Sequence, residues 1–503
     1  MPGANNVPSF RRLSGKGHAE RQSETQSVYE RGFLQGRYSD VTVESFDKAY
    51  KLHRLQLSAS PYFDKMFSSE WNEKEDEREE QGNRVYKLGL DDGLGITKEA
   101  FECVLARLYG YVDEKEDSNL CNLIATANYF GLDGMCWEGV TRIIDKSLTT
   151  DNVGEISNFF FNNDLGKFSN EVLTACKALL CDSLSTIPEA LIAKVPGPVL
   201  AEVLSSDGLY VKDEEARFAL VSRIYGSWRG PTASLEDIRE VFNSGIHYCH
   251  FDSKSLLMGN AVRSALKLGL VSREVLKNAV WLRQQLQVRV LNGTSEMLGL
   301  ISEEEEGKDD DEYTSGDDWF YPVPQEDGEE ELKTFMPPLR FSVRLDVTTE
   351  RSHSQTIWYG GSYWRVYCQK IDGSDQIGVY VHRAASRKGY GGVASETGSG
   401  AEQVTTKVKE YFDGRHASHY TGSFYSAWNS SDYEDKRKTA SAYFEIYAYA
   451  CEDSSLICLS SAPDTFDLGQ SWGWKSSKLT KAVGNAAMDP IPQHATPMIN
   501  LKH

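Results

Sequence analysis

Apolar and polar residues alternate at the first ordered-looking stretch of the chain. Val41 and Val43 are separated by Thr42 and followed by Glu44, the period-two pattern of a half-buried strand. Phe46-Asp47-Lys48-Ala49 reads as a turn into Tyr50-Lys51-Leu52, which predicts a hairpin. The period then changes. Ser60 supplies an N-cap hydroxyl, Pro61 has the fixed φ of a first helical position, and Tyr62, Phe63, Met66 and Phe67 follow on one helical face. Val85 to Leu88 predicts a short strand. Thr97 caps a helix with Phe101, Val104, Leu105 and Leu108 on one side, and Leu120, Leu123, Ile124 and Ala127 repeat that spacing.

From Met135 to about Asn292 the periodicity is helical. Trp137, Val140 and Ile144 form one face. Asn152 is the expected cap of a run through Val153, Ile156 and Phe159, and Ser169 of one through Val172, Cys176 and Leu179. At Phe341 the character switches back to alternation, in FSVRLDV, YWRVYCQK, IGVYVHR, AYFEIYAYA and SLICLSS. Short alternating runs separated by polar, Gly-rich loops predict a β-sandwich.

A chain of 503 residues exceeds one core, and three domains are expected. The formal net charge is −20, but it is concentrated: residues 303–331 hold 15 acidic residues and one lysine, leaving −6 for the rest. Such a run repels itself and predicts an extended linker. The balance argues against nucleic acid, which needs a concentrated basic face. Nine cysteines with no C-x-x-C pair, mostly inside apolar runs, point to buried thiols in a reducing compartment. No run of about 18 apolar residues and no signal-peptide core occurs, so a soluble cytoplasmic or nuclear protein without membrane partners is expected.

Two strings carry a resemblance at the N-terminal end. SDVTV followed by LHRLQLSASPYFDKMF resembles the BTB/POZ domain, a dimerising and partner-binding module with helices packed on a small sheet. LSSDGLYVKDEEARFALVSRIYGSW resembles the signature region of the BACK domain, whose helix begins with acidic residues, here Asp213, Glu214 and Glu215. Acidic residues in a first turn also complement the helix dipole. TIWYGGSYWRVYCQK, IGVYVHR and the later SWGW resemble the MATH/TRAF-like sandwich. The order is similar to fungal-type BTB adaptors and, more loosely, to the germ-cell-less family.

The expected fold class is therefore multidomain α+β. A disordered tail (1–28) precedes a BTB/POZ domain (29–134), an all-α BACK-like region (135–300), an acidic disordered linker (301–334), an all-β MATH/TRAF-like sandwich (335–482) and a loose tail (483–503).

The resemblance implies a non-catalytic substrate adaptor of a cullin-3 ubiquitin ligase: a homodimer through BTB, with the sandwich selecting a protein substrate. A scaffold or transcriptional co-regulator without ligase role is the alternative. Trp71 and Glu73 match the cullin-contact pattern of BTB adaptors, with Tyr62 and Met66 on the preceding helix. Alternatively, Trp71 closes the domain core and Glu73 begins a solvated run. Asp40 and Arg54 resemble charged positions near the BTB dimer interface, or else cap or pair locally. Tyr443, Tyr447 and Tyr449 share one strand face that either takes a peptide along the strand or lies under the long loops. The glycines of residues 389–400 lack a following helix or lysine to hold phosphate. His247-Tyr248-Cys249-His250 offers adjacent ligands that wrap poorly around one tetrahedral ion, and His416 and His419 lack a cysteine nearby. No metal, cofactor or enzyme activity is expected.

Overall fold

The computed structural model describes residues 27–68, 79–80, 83–90, 93, 95–111, 119–226, 235–291, 337–343, 345–346, 350–374, 376–384, 438–450, 455–460, 464–476, 494–495 and 497–502. The chain divides into two compact units, Met1–Cys176 and Lys177–His503.

In the first unit, strands β1 (Val41–Ser45), β2 (Lys48–Leu52), β3 (Glu79–Glu80) and β4 (Asn83–Lys87) form one sheet in the order β2-β1-β4-β3. β1 runs antiparallel to β2 and parallel to β4. The alternation is realised: Val41, Val43, Tyr50 and Leu52 are buried. The hairpin is tighter than the sequence predicts, because Lys48 and Ala49 pair with Ser45 and Glu44 and only Phe46 and Asp47 turn. Both have positive φ, 49° and 55°, the conformation of a type I′ turn that matches the twist of the strands. Neither residue prefers that region, and Phe46 is held there by packing near the Phe101 ring at 6.0 Å. Asp47→Gly is therefore expected to stabilise the first unit by about 0.5–1 kcal/mol, read as a rise in the midpoint of urea unfolding.

Helices α1 (Arg54–Leu57), α2 (Pro61–Phe67), α3 (Lys98–Leu108), α4 (Leu120–Tyr129), α5 (Asp133–Arg142) and α6 (Val153–Asn162) follow. Ser60 begins α2 as expected. Its hydroxyl accepts from the Phe63 N–H and donates to the Phe130 carbonyl at 2.6 Å, so the cap also ties α2 to the end of α4. Phe63 stacks on Phe130 at 4.9 Å, and Phe101 of α3 lies 5.6 Å from it. Thr97 caps α3 through the Ala100 N–H. α4 and α5 pack closely enough that a Cβ on Gly139 would meet Ile124 at 2.6 Å.

Two expected caps differ. Asn152 precedes α6, but its amide accepts from the Thr149 N–H and donates to the Ser147 carbonyl, bracing the turn before the helix. Ser169 lies inside α7 (Lys167–Ser183), where its hydroxyl joins the Leu165 N–H to the Asn163 carbonyl.

In the second unit, α8 (Glu189–Ile192), α9 (Gly197–Ser205), α10 (Glu214–Tyr225), α11 (Leu235–Ser244), α12 (Ser253–Met258), α13 (Asn260–Lys267) and α14 (Arg273–Leu291) are followed by strands. These are β5 (Leu339–Ser342), β6 (Leu345–Asp346), β7 (Arg351–His353), β8 (Ile357–Tyr359), β9 (Ser362–Lys370), β10 (Ile377–Ala384), β11 (Thr439–Ala450), β12 (Ser455–Ser460), β13 (Asp464–Asp467), β14 (Ser471–Ser476), β15 (His494–Ala495) and β16 (Pro497–Lys502).

All their pairings are antiparallel. One sheet has the order β14-β10-β9-β7, with β8 also on β9; another has β12-β11-β16-β5, with β13 also on β11. The sheets meet through aromatic rings. Trp364 of β9 lies 5.1 Å from Phe466, Phe444 of β11 lies 5.2 Å from Trp474, and Trp364 and Phe444 are fully buried.

The tail expected to be loose over 483–503 instead contributes β16, inserted between β11 and β5. Only Ile499 to Lys502 carry its alternating pattern, and Pro497 stands at the strand's first position, where a missing N–H is tolerated. The expected sandwich boundary at 482 therefore moves toward the C-terminus. Residues 1–26, the acidic stretch 301–334 and the loops 387–400 and 414–437 lie outside the described residues.

Candidate protein-interaction surfaces and a buried clamp

Trp71 and Glu73 lie outside the described residues. The helix that precedes them carries the other two candidate contacts one turn apart on one side. Met66 is only 7% exposed and belongs to the core of the first unit, so it has little surface to offer a partner. Tyr62, one turn earlier on the same side of α2, is half-buried in an aromatic group with Tyr129 at 5.1 Å and Phe130 at 5.2 Å.

Asp40 and Arg54 meet through the backbone. The Arg54 N–H donates to Asp40 Oδ1 at 2.8 Å, so Asp40 caps α1, while the Arg54 guanidinium sits over the Phe67 ring at 5.4 Å. This is the local arrangement the sequence left open. The same corner carries apolar side chains that the pattern did not single out: Tyr38 is 94% exposed, Leu55 81% and Leu34 62%. His53 holds the corner together, with Nε2 on the Arg37 carbonyl at 2.8 Å and Nδ1 on the Tyr109 hydroxyl at 2.9 Å. Leu55 lies off the helical face that buries Leu57, which was the available signal.

On β11, Phe444 and Ile446 are buried and Tyr447 is half-buried, its hydroxyl donating to Glu445 Oε2 at 2.9 Å. Tyr443 and Tyr449 share that face by register, opposite Lys502 and Leu456.

The histidine string has a different role from metal ligation. His247 Nδ1 lies 2.9 Å from the Pro338 carbonyl and His250 Nε2 lies 2.8 Å from that of Pro337. Burial pushes the His250 imidazole down to about 4 and that of His247 to about 3, against the pull of Glu214. Both rings are thus neutral near pH 7, each donating one N–H to a carbonyl. Beside them, Glu214 is 1% exposed, although it begins α10. Its two carboxylate oxygens accept from Arg340 Nε at 2.6 Å and Nη2 at 3.0 Å, and Oε2 also accepts from the His247 N–H.

Arg340 Nη1 further donates to Asp207 Oδ1 at 2.9 Å, and Nη2 donates to the Gly245 carbonyl at 2.8 Å. Burial alone would raise the Glu214 carboxyl, but the Arg340 and Arg217 charges outweigh it and hold it down to about 2. Ser342 completes the contact, its N–H donating to the Val211 carbonyl at 3.1 Å and its hydroxyl accepting from the Val211 N–H at 3.2 Å. The clamp fixes residues 337–342, where the strands begin, onto the helices of the same unit.

Among the described residues no group of three His, Cys, Asp or Glu side chains is placed to hold a metal ion, and no helix is long and apolar enough to cross a membrane. Burial pushes the Cys136 and Cys176 thiols up to about 12 and Cys121 to about 11, which keeps them protonated.

Residues 29–147 match the BTB/POZ domain family. The chain carries a BTB/POZ domain. That match runs through α5, which the periodicity assigns to the next helical region. Germ cell-less of Drosophila melanogaster is 36% identical over 131 residues, 26% of this chain and 20% of the fly protein. BTB/POZ domain-containing protein 2 of Schizosaccharomyces pombe is 26% identical over 216 residues, 39% of this chain and 72% of the yeast protein. Kelch-like protein 40 of Homo sapiens is 25% identical over 217 residues, 41% of this chain and 32% of the human protein. The last two similarities are longer than the BTB/POZ match, so they take in residues beyond it.

Proposed function

We propose that this chain is a substrate-selecting adaptor of a cullin-3 RING ubiquitin ligase. Its BTB/POZ domain self-associates and holds the cullin, a BACK-like helical region supports that contact, and the C-terminal MATH/TRAF-like sheets select a protein substrate. The observation that carries this reading is the BTB/POZ domain at residues 29–147 with similarity to a Kelch-like protein that continues past it. The exposed corner of Leu34, Tyr38 and Leu55 supports self-association, since apolar side chains that open are characteristic of contact surfaces. Two subunits would present two substrate sites and gain avidity.

The test is a pull-down of purified full-length protein with cullin-3. Trp71→Ala with Glu73→Ala, and separately Tyr62→Ala, are expected to weaken binding at least about tenfold. Leu55→Lys is expected to convert the dimer to monomer in sedimentation while keeping one cooperative thermal transition, its midpoint lowered by the lost association. Absence of cullin-3 binding by a well-formed dimer would instead support a scaffold or transcriptional co-regulator.

A further inference from the structure

The alternation that buries Trp364, Val366, Val379 and Val381 between the sheets places Arg365, Tyr367, Tyr380 and His382 on the opposite face. Register brings them together: Tyr380 pairs with Tyr367, His382 with Arg365, and His353 of the edge strand with Tyr367. The rings of Tyr367 and Tyr380 stack at 5.0 Å and 23°. The Arg351 guanidinium lies over Tyr367 at 4.0 Å, and the His353 ring is 5.2 Å away. Tyr380 lies flat across Gly378, where a Cβ would come within 2.4 Å of its ring. The result is an aromatic floor under a cationic ridge.

The charge on this ridge is not neutralised by a described carboxylate. Arg351 acts on both Arg365 and His382, and Arg365 also on His382; with the His353 and His382 imidazoles both lowered, the charge near pH 7 is that of the two arginines. Arg365 Nε is buried without a hydrogen-bond partner among the described residues.

The geometry points to this face of β7, β9 and β10 as the docking site for an extended acidic peptide of a partner protein. Carboxylates answer the guanidinium groups with charge-assisted hydrogen bonds, and the half-exposed Tyr380, backed by the buried Tyr367, offers flat area to an aromatic side chain between them. An extended peptide matches the strand spacing beneath it. A nucleic acid would meet the same ridge, but phosphate backbones need a broad basic face, whereas two neighbouring arginines suit a short acidic peptide. The proposal deepens the reading of the C-terminal sheets as substrate-selecting, and its readout needs neither cullin nor ubiquitin transfer.

The full-length protein is titrated into a labelled peptide of alternating Glu and Tyr about ten residues long, the length of a long strand. The matching Lys–Tyr peptide and an oligouridine of equal length serve as comparisons. Binding to the Glu–Tyr peptide is expected to fall as salt rises and to fall at least about tenfold in Arg351→Glu and in Arg351→Glu/Arg365→Glu. Arg351 is exposed, so the single change is expected to keep the parent's thermal midpoint. Tyr447→Ala, on the other sheet, is expected to bind as the parent does; loss there would return the ligand to the β11 face and overturn the assignment. Unchanged binding by both arginine variants overturns it, as does tighter binding of the oligouridine. Binding that appears only after deletion of residues 303–331 also overturns it, giving the face to the chain's own acidic run.

Discussion

Arg340→Ala is expected to lower the stability of the Lys177–His503 unit by about 3–5 kcal/mol, measured by denaturant unfolding of the full chain. The magnitude follows from what is left behind. Glu214 is 1% exposed and receives both of its strongest hydrogen bonds from Arg340. Without that guanidinium, a buried carboxylate keeps only Arg217, 3.8 Å away, and the His247 N–H. Removing one partner of a buried pair costs far more than the pair itself contributes, because the desolvation already suffered by the other charge is no longer offset.

The double variant Glu214→Leu/Arg340→Met should therefore recover most of the loss, and a double-mutant cycle should show coupling of about 2 kcal/mol or more. The exposed pair Lys277–Glu274, of similar length at 2.9 Å, is the internal control: breaking it should cost less than about 1 kcal/mol. A loss at Arg340 no larger than at Lys277 would remove the clamp from any account of how the strands are held on the helices.

The parts of the fold that were legible in the sequence are those fixed by neighbours in the chain. Val41, Val43, Phe63, Phe101 and Phe444 are buried where their spacing predicts, and Ser60, Thr97 and Asp213 cap the helices they precede. The BTB/POZ resemblance rests on such a stretch, in which strand, corner and capped helix are contiguous. What was not legible depends on partners far away. Glu214 in a first turn has a sufficient local explanation in the helix dipole, and nothing near it announces an arginine 126 positions later.

In the sequence His247 and His250 look like candidate ligands because imidazole next to cysteine is metal-like chemistry. The Cys249 thiol, however, is buried and pushed up to about 12, away from the thiolate that metal binding needs. Their real partners, the carbonyls of Pro337 and Pro338, leave no mark in a side-chain pattern. The strand β16 is illegible for a related reason: the four alternating residues Ile499 to Lys502 are too few to tell from a polar tail until β11 and β5 are seen on either side. The same holds for the arginine and tyrosine face, where each strand shows ordinary alternation and only register joins Tyr380 to Tyr367.

The clamp also gives the protein an acid sensitivity with a defined sign. The folded state holds His250 at about 4 and His247 at about 3, whereas an unfolded histidine titrates near 6.5. Between those values the unfolded chain binds more protons, so stability is fully present above about pH 6.5 and is lost as pH falls toward 4. By pH 4 each ring would account for on the order of 3 kcal/mol. Glu214, held down to about 2, titrates below this window and starts to contribute only under about pH 4.5.

Other titratable groups act in the same range. His382, pushed down to about 4, and His353, also lowered, add to the loss. Asp213 and Glu215, raised by burial, oppose it by taking up protons more readily when folded. The clamp's share is isolated by comparing variants with the parent at each pH. His247→Gln and His250→Gln keep a side-chain N–H for the proline carbonyls but cannot titrate. Urea unfolding of the His247→Gln/His250→Gln variant is therefore expected to show a shallower decline between pH 6.5 and 4 than the parent. His382→Gln should flatten the curve less than this pair does. Parallel curves for parent and double variant would mean that these two rings do not bind protons differently in the folded and unfolded chain, and that the clamp rests on the Arg340 pair alone.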